Sequence, residues 1–386
     1  MKKLVIILML SYLSLTINSA AETDNSDEKI LKIGILVPLS GENQEIGKSV
    51  LKAAQLALFD IGDENIKILP KDSASNPDDT YLSAMELKNL GVKVVIGPIF
   101  HENLKKLNEI DGITFISLTN KTENLPKNTI SFGINVYSQL LTIKKYIGTK
   151  KISKTLLLFP ESEFSNLIEN SIQDNNFNFY KKFSYSTNPK KITAQIETIT
   201  EYNQRKINLK ARVKKLEKSD LLKDKRELKK LEQKYTLGKV EFESVIIADF
   251  GERLKSVLSS FNYADVSSEE VKFFTLNQWF DEGLFDEMSL KNLFFPSIKL
   301  NGFNKFRKKY YKEYKETPVE ISILSYDAFG LIYTLWRRDN KTFKISDFYL
   351  KSGFKGLHGE FFIKKNLSEQ KLNIYKISEN KFIKVH

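Results

Sequence analysis

The feature that most constrains this chain is a repeated switch between two hydrophobic periods. Residues 32–37 form a short β-branched run closed by Pro38, Ser40 and Gly41, and residues 47–60 then place Val50, Leu51, Ala54 and Leu58 on one helical face. The same strand-then-helix unit recurs at 66–69 with 80–90 and at 93–97 with 102–110, followed by strands at 114–118 and 130–133 and a helix at 138–147. A second series follows: 155–159 with 162–173, a strand at 179–183, 244–249 with 252–261, and 271–276. Alternating units of this kind predict parallel sheets covered by helices on both faces. About 365 residues beyond the first 21 exceed the roughly 250 to 300 at which one core stops growing, so two lobes are expected.

The predicted fold is therefore α/β, with two doubly wound parallel-sheet lobes joined by a hinge of several crossings. Lobe 1 is expected over 30–135 and 298–340, where helices at 303–314 and 322–336 return to it. Lobe 2 is expected over 136–297 and 341–386, closed by strands at 360–363, 372–377 and 382–385. A hinge between two open sheets brings the carboxyl ends of both sets of strands to one cleft, where a ligand is expected.

Met1, Lys2 and Lys3 precede an uncharged apolar stretch over 4–15 and small residues at Ser19, Ala20 and Ala21, the pattern of a secretory signal peptide over 1–21. The stretch is shorter than the roughly 20 residues a membrane-crossing helix needs. The chain has no cysteine, which excludes an acylated cysteine, disulfides, thiolate metal sites and a cysteine nucleophile. A periplasmic protein with no membrane anchor after signal cleavage is expected. The formal charge of +12 falls to +10 without Lys2 and Lys3, and export separates the chain from nucleic acid, so no nucleic-acid partner is expected.

One segment breaks the plan. Between 205 and 234 there are 13 Lys or Arg and 5 Asp or Glu. Leu209, Val213 and Leu216, then Leu228, Leu231 and Tyr235, keep helical spacing on either side of a polar break at Lys218, Ser219 and Asp220. A basic helical hairpin inserted in lobe 2 over 191–235 is predicted, as a docking arm or a solvated extension.

Motifs for chemistry are weak. Residues 40–49, SGENQEIGKS, approach a phosphate-binding loop, but five positions separate Gly41 from Gly47 where the motif has four. The S-x-x-K pairs at 49–52 and 368–371 lack the S-D-N and K-T-G companions of penicillin-recognising enzymes. His101, His358 and His386 are isolated in sequence, and Glu161 and Glu163 read as acids favoured at a helix start. Neither an enzyme nor a cofactor is expected.

The segments LKIGILVPLSGENQEIGKSVLKAAQLALFD, VVIGPIF and SYDAFGLIYTL make the chain resemble the type I periplasmic binding proteins of the leucine/isoleucine/valine-binding group. The basic segment together with TLGKVEFESVIIADFGERLKSVLSSFNYADV looks like the subgroup named penicillin-binding protein activators. The resemblance implies a non-enzymatic periplasmic protein that closes on a small solute, an amino acid or peptide-like molecule, and serves a membrane permease. For the narrower subgroup it implies a regulator of peptidoglycan synthesis with a peptidoglycan synthase as partner. Loops after lobe 1 strands would hold the ligand carboxylate, while aromatics and a lobe 2 acid would hold its ammonium. Mapped here, these places are Ser40, Gln44, Phe100, His101, Thr119, Asn120 and Lys121 in lobe 1, Phe164, Phe250 and Asn277 in lobe 2, and Tyr326 on a lobe 1 helix. Asn277 stands where the acid is expected and brings no negative charge.

Overall fold

The computed structural model describes residues 30–162, 164–338 and 342–386; the signal peptide expected over 1–21 and Glu163 lie outside the described residues. Two sheets are formed. The first has β2 (Ile66–Asp72), β1 (Leu31–Val37), β3 (Val94–Ile96), β4 (Thr114–Ser117) and β5 (Thr129–Ser131) in parallel, then β13 (Leu367–Lys371), β12 (Glu360–Lys364) and β11 (Phe354–Lys355). The second runs β7 (Lys181–Tyr185), β6 (Thr155–Pro160), β8 (Ser244–Ile247), β9 (Lys272–Thr275) and β10 (Phe294–Ser297) in parallel, then β14 (Asn373–Ser378) and β15 (Lys381–Lys384) antiparallel. Both sheets are mixed, and one edge of each is built from the C-terminal segment.

The apolar strands divide their side chains with period two. Leu156 and Leu158 of β6, with Val245 and Ile247 of β8, meet Ile192 and Ile196 of α5 (Pro189–Ile199) and Leu254 and Val257 of α8 (Gly251–Tyr263). Leu157, Phe159 and Ile246 meet Leu140 and Ile143 of α3 (Val136–Thr149) and Ile168 of α4 (Phe164–Asn175) on the other face. Burial on both faces is why these strands read as unbroken apolar runs. In lobe 1, α1 (Gln44–Ile61), α9 (Leu300–Tyr314) and α10 (Ser322–Arg337) cover one face, and α2 (Pro77–Asn89) the other. Gly47 in the first turn of α1 explains part of the phosphate-loop likeness. A Cβ there would lie 1.7 Å from Pro38 O, so the helix needs glycine simply to pass the end of β1.

Three sequence expectations are corrected. Residues 102–110 form no α-helix but two 3-10 turns, His101–Leu104 and Leu107–Glu109. Leu104, Leu107 and Ile110 recur every third residue, which suits the three-residue turn that buries them under the first sheet. The strand expected over 360–363 belongs to lobe 1, because β13 pairs in parallel with β5 and carries β12 with it. The extension is shorter than 191–235: α5 is a layer of lobe 2, and the hairpin proper is α6 (Tyr202–Leu216) and α7 (Leu222–Leu231).

Three segments cross between lobes, at 132–135, 298–299 and Leu372. They are sewn together by buried polar groups. Asn135 accepts from the Ser138 backbone N–H at 2.9 Å to cap α3 and donates to Ser368 O at 2.6 Å. Gln370 donates its side-chain amide to Phe132 O at 2.9 Å and its backbone N–H to Ser138 Oγ at 3.0 Å. Tyr375 OH accepts from Leu300 N at 2.9 Å, which ties in the remaining crossing.

Candidate functional site: a cavity between the lobes

A cavity of about 360 Å³ lies where the carboxyl ends of the two sheets face each other. That volume is within the range of small-molecule sites. Ile99, Leu118, Ile321 and Leu324 of lobe 1 form one apolar wall, Trp279 and Pro296 of lobe 2 the other, and Ile134 of the first crossing the floor.

Six of the residues expected from sequence line it: Phe100, His101, Thr119, Asn120, Lys121 and Asn277. Their loop is held by backbone contacts. Ser131 Oγ donates to Thr119 O at 2.9 Å and Lys121 O at 3.1 Å, and Gly133 N donates to Thr119 O at 2.9 Å. A Cβ on Gly133 would stand 2.3 Å from Thr119 O, so only glycine lets the end of β5 run so close. Thr119 Oγ1 in turn accepts from Lys121 N at 3.2 Å. His101 Nε2 donates to Glu123 O at 2.7 Å. Across the rim, Asn170 of α4 donates to Glu123 Oε1 at 2.6 Å, joining lobe 2 to lobe 1 beside a second hollow that His101, Lys121 and Glu123 also line.

The other expected residues lie elsewhere. Ser40 is exposed and bonds the Asp72 carboxylate, and Gln44 accepts from Lys48 Nζ at 2.8 Å. Phe250 is 49% exposed at the start of α8. Tyr326 OH turns away and donates to Asp60 Oδ2 at 2.5 Å, and burial and that bond together hold its phenol well above the ordinary value. Phe164 opens α4, and its side chain lies outside the described residues.

Two residues of opposite charge, Lys121 and Glu102, line the cavity. Lys121 stands at the mouth, and Glu102 faces Lys105, whose ammonium holds that carboxyl below the usual range. The buried acid at the carboxyl edge of lobe 2 is Asp249, which does not line the cavity and is fully engaged: it accepts from Phe250 N at 2.8 Å, Tyr185 OH at 2.6 Å and Arg253 Nε at 2.8 Å. Burial, then the Asp249 bond, push the Tyr185 phenol far up.

Sequence reasoning missed Gln139 and Trp279. Gln139 occupies the first turn of the crossing helix and reaches Asn277, and Trp279 is a large aromatic in a loop at a strand's carboxyl end, a signal that was available.

A family model described as periplasmic binding protein matches residues 30–203. No curated protein matches in sequence. A periplasmic ligand-binding protein of a branched-chain amino acid ABC transporter from Burkholderia xenovorans LB400 is 11% identical, with a TM-score of 0.67 over 92% of this chain and 94% of that one. The C-domain of LpoA from Haemophilus influenzae, a regulator of PBP1A, is 14% identical, with a TM-score of 0.63 over 92% and 100%. A solute-binding ABC transporter protein from R. palustris in complex with benzoate is 14% identical, with a TM-score of 0.55 over 92% and 96%. The chain has the two-lobed type I periplasmic binding fold, which the transport and regulatory proteins share.

Proposed function

We propose that this protein is a non-enzymatic periplasmic solute-binding protein that closes its lobes on a small molecule with an apolar body and an anionic head, and delivers it to a membrane permease. The observation that carries this reading is the interlobe cavity, walled by Trp279, Leu118 and Leu324 and flanked by Lys121, Thr119 and Asn120. A carboxylate fits the cationic and hydroxyl side. A free ammonium does not: among the described lining residues the only carboxylate is Glu102, already paired at the rim, and burying an unpaired charge costs several kcal/mol. The ligand is thus an aromatic or branched monocarboxylic acid, or an acid whose amine is blocked as in a peptide bond.

The test is a thermal-shift screen of the chain from Glu22 against monocarboxylates, free amino acids and short peptides. A ligand present at about 100 times its Kd adds about 2.7 kcal/mol to the folded state. A shift with monocarboxylates and none with free amino acids is the expected result. If no compound moves the transition while a peptidoglycan synthase binds the full chain, the protein is instead a regulator of cell-wall synthesis.

A further inference from the structure

Of the formal charge of +12, +8 falls within 205–234. That charge is carried by a hairpin whose root is fixed in lobe 2. Buried Arg205 donates to Gly238 O at 3.1 Å, Ala264 O at 3.0 Å, Asp265 O at 2.9 Å and Thr236 Oγ1 at 2.8 Å. Ala264 ends α8, which begins beside the carboxyl end of β8, so the root lies at the end of lobe 2 opposite the cleft. From there α6, of 15 residues, reaches roughly 22 Å along its axis.

The hairpin is internally complete. Its helices bury Leu216 and Leu231, and Arg212 grips Glu227 through Nε at 2.8 Å and Nη2 at 2.7 Å. What remains for a partner is lysine: Lys210, Lys214, Lys218, Lys223 and Lys229 are exposed and have no ion-pair partner among the described residues. At the turn, Leu221 and Leu222 stand 57% and 76% exposed. Two neighbouring leucines at a turn form no concave patch. Protein interfaces favour arginine and aromatics and are poor in lysine, and two of the three arginines here are already engaged, Arg205 at the root and Arg212 between the helices. A small apolar wedge ringed by long, unpaired lysines is instead the pattern of a segment that settles into a charged lipid interface.

We infer that the hairpin tip docks on an anionic phospholipid surface, with Leu221 and Leu222 entering the headgroup boundary and the lysines meeting lipid phosphates. Docked in this way, the chain keeps its cleft on the far side, open to solute.

The test is co-sedimentation of the full chain with vesicles of phosphatidylcholine alone or mixed with phosphatidylglycerol. Binding is expected to the mixed vesicles only, and to fall as salt rises. Each lysine near such a surface is worth roughly fivefold in affinity, so Lys214→Glu, Lys218→Glu and Lys223→Glu combined should lower binding about a hundredfold or more. Leu221→Ser with Leu222→Ser should lower it roughly tenfold. These positions are exposed, and an unchanged melting temperature will show that each variant is folded. Leu222→Trp should shift its fluorescence to the blue on mixed vesicles. Inorganic phosphate should compete no better than chloride of equal ionic strength; better competition would mean a free-phosphate site and overturn the lipid assignment. Equal binding to both vesicles, no loss in the lysine variant, or hairpin-dependent binding to a peptidoglycan synthase with none to vesicles would also overturn it.

Discussion

Gln139 holds Asn277 at two points: its Oε1 accepts from the Asn277 backbone N–H at 2.6 Å, and its Nε2 donates to Asn277 Oδ1 at 2.8 Å. The pair fixes the loop after β9 against the first turn of α3, and Asn277 adopts a left-handed φ of 58° to receive it. Gln139→Leu leaves that N–H without a partner and should lower unfolding free energy by about 2 kcal/mol in urea titration. Asn277→Gly loses the side-chain bond but adopts the positive φ without strain, so its cost should be smaller.

The cavity wall gives a second prediction. Trp279→Ala should weaken ligand binding roughly tenfold or more through lost apolar contact, read as a smaller rise in melting temperature at fixed ligand. Lys121→Glu should abolish the rise for an anionic ligand while leaving the free protein's melting temperature within about a degree or two, because Lys121 is exposed.

These two sites mark how far the sequence was legible. The strand and helix units are visible because apolar runs buried on both faces, such as 155–159 and 244–247, have few alternatives. The family resemblance, mapped through the strand each loop follows, brought Phe100, Thr119 and Asn277 to the cavity. It does not give the direction of a side chain. Leu324 of α10 faces the cavity, so Tyr326, two residues on and about 200° round the helix, faces Asp60 instead. Nor does periodicity name a partner strand: β13 alternates buried Ser368 and Gln370 with more open neighbours, and its place beside β5 depends on hydrogen bonds to the crossing at 132–135.

Acid sensitivity should come in part from Asp72. Burial alone would raise its carboxyl, but Ser40, with the Leu39 N–H at 2.7 Å and the Ala74 N–H at 2.8 Å, outweighs burial and holds it below the ordinary value. A carboxyl depressed on folding stabilises above its unfolded pKa, and that contribution is lost as pH falls through the folded one. Asp72→Asn should therefore be less stable than wild type at neutral pH, and in chemical denaturation the two should converge as pH falls below the ordinary carboxylate range.

Asp327 is nearly buried and accepts from Leu357 N at 2.9 Å, from His358 N at 2.7 Å and from His358 Nδ1. His358 O in turn accepts from Lys299 N at 2.8 Å on the second crossing. Asp327→Ala strands three donors and should cost about 3 to 5 kcal/mol by equilibrium unfolding.

Arg205→Ala should unfasten the hairpin root without unfolding the lobe. Four acceptors lose their donor, and the basic helices beyond it gain freedom to open. Limited trypsin digestion should cut within 206–234 several times faster than in wild type, with the rest of the chain retained as two fragments.

Leu367 of β13 meets Ser131 of β5, and Asn135 meets Ser368, across more than half the chain. A polypeptide made from its amino end therefore holds five strands of its first sheet with one raw edge until almost the last residues appear. The lobe begun first stays open until the chain is nearly complete. Until then β5 is a free template for mispairing, which makes this edge the natural place for a holding chaperone to bind and makes early release of the nascent chain a hazard.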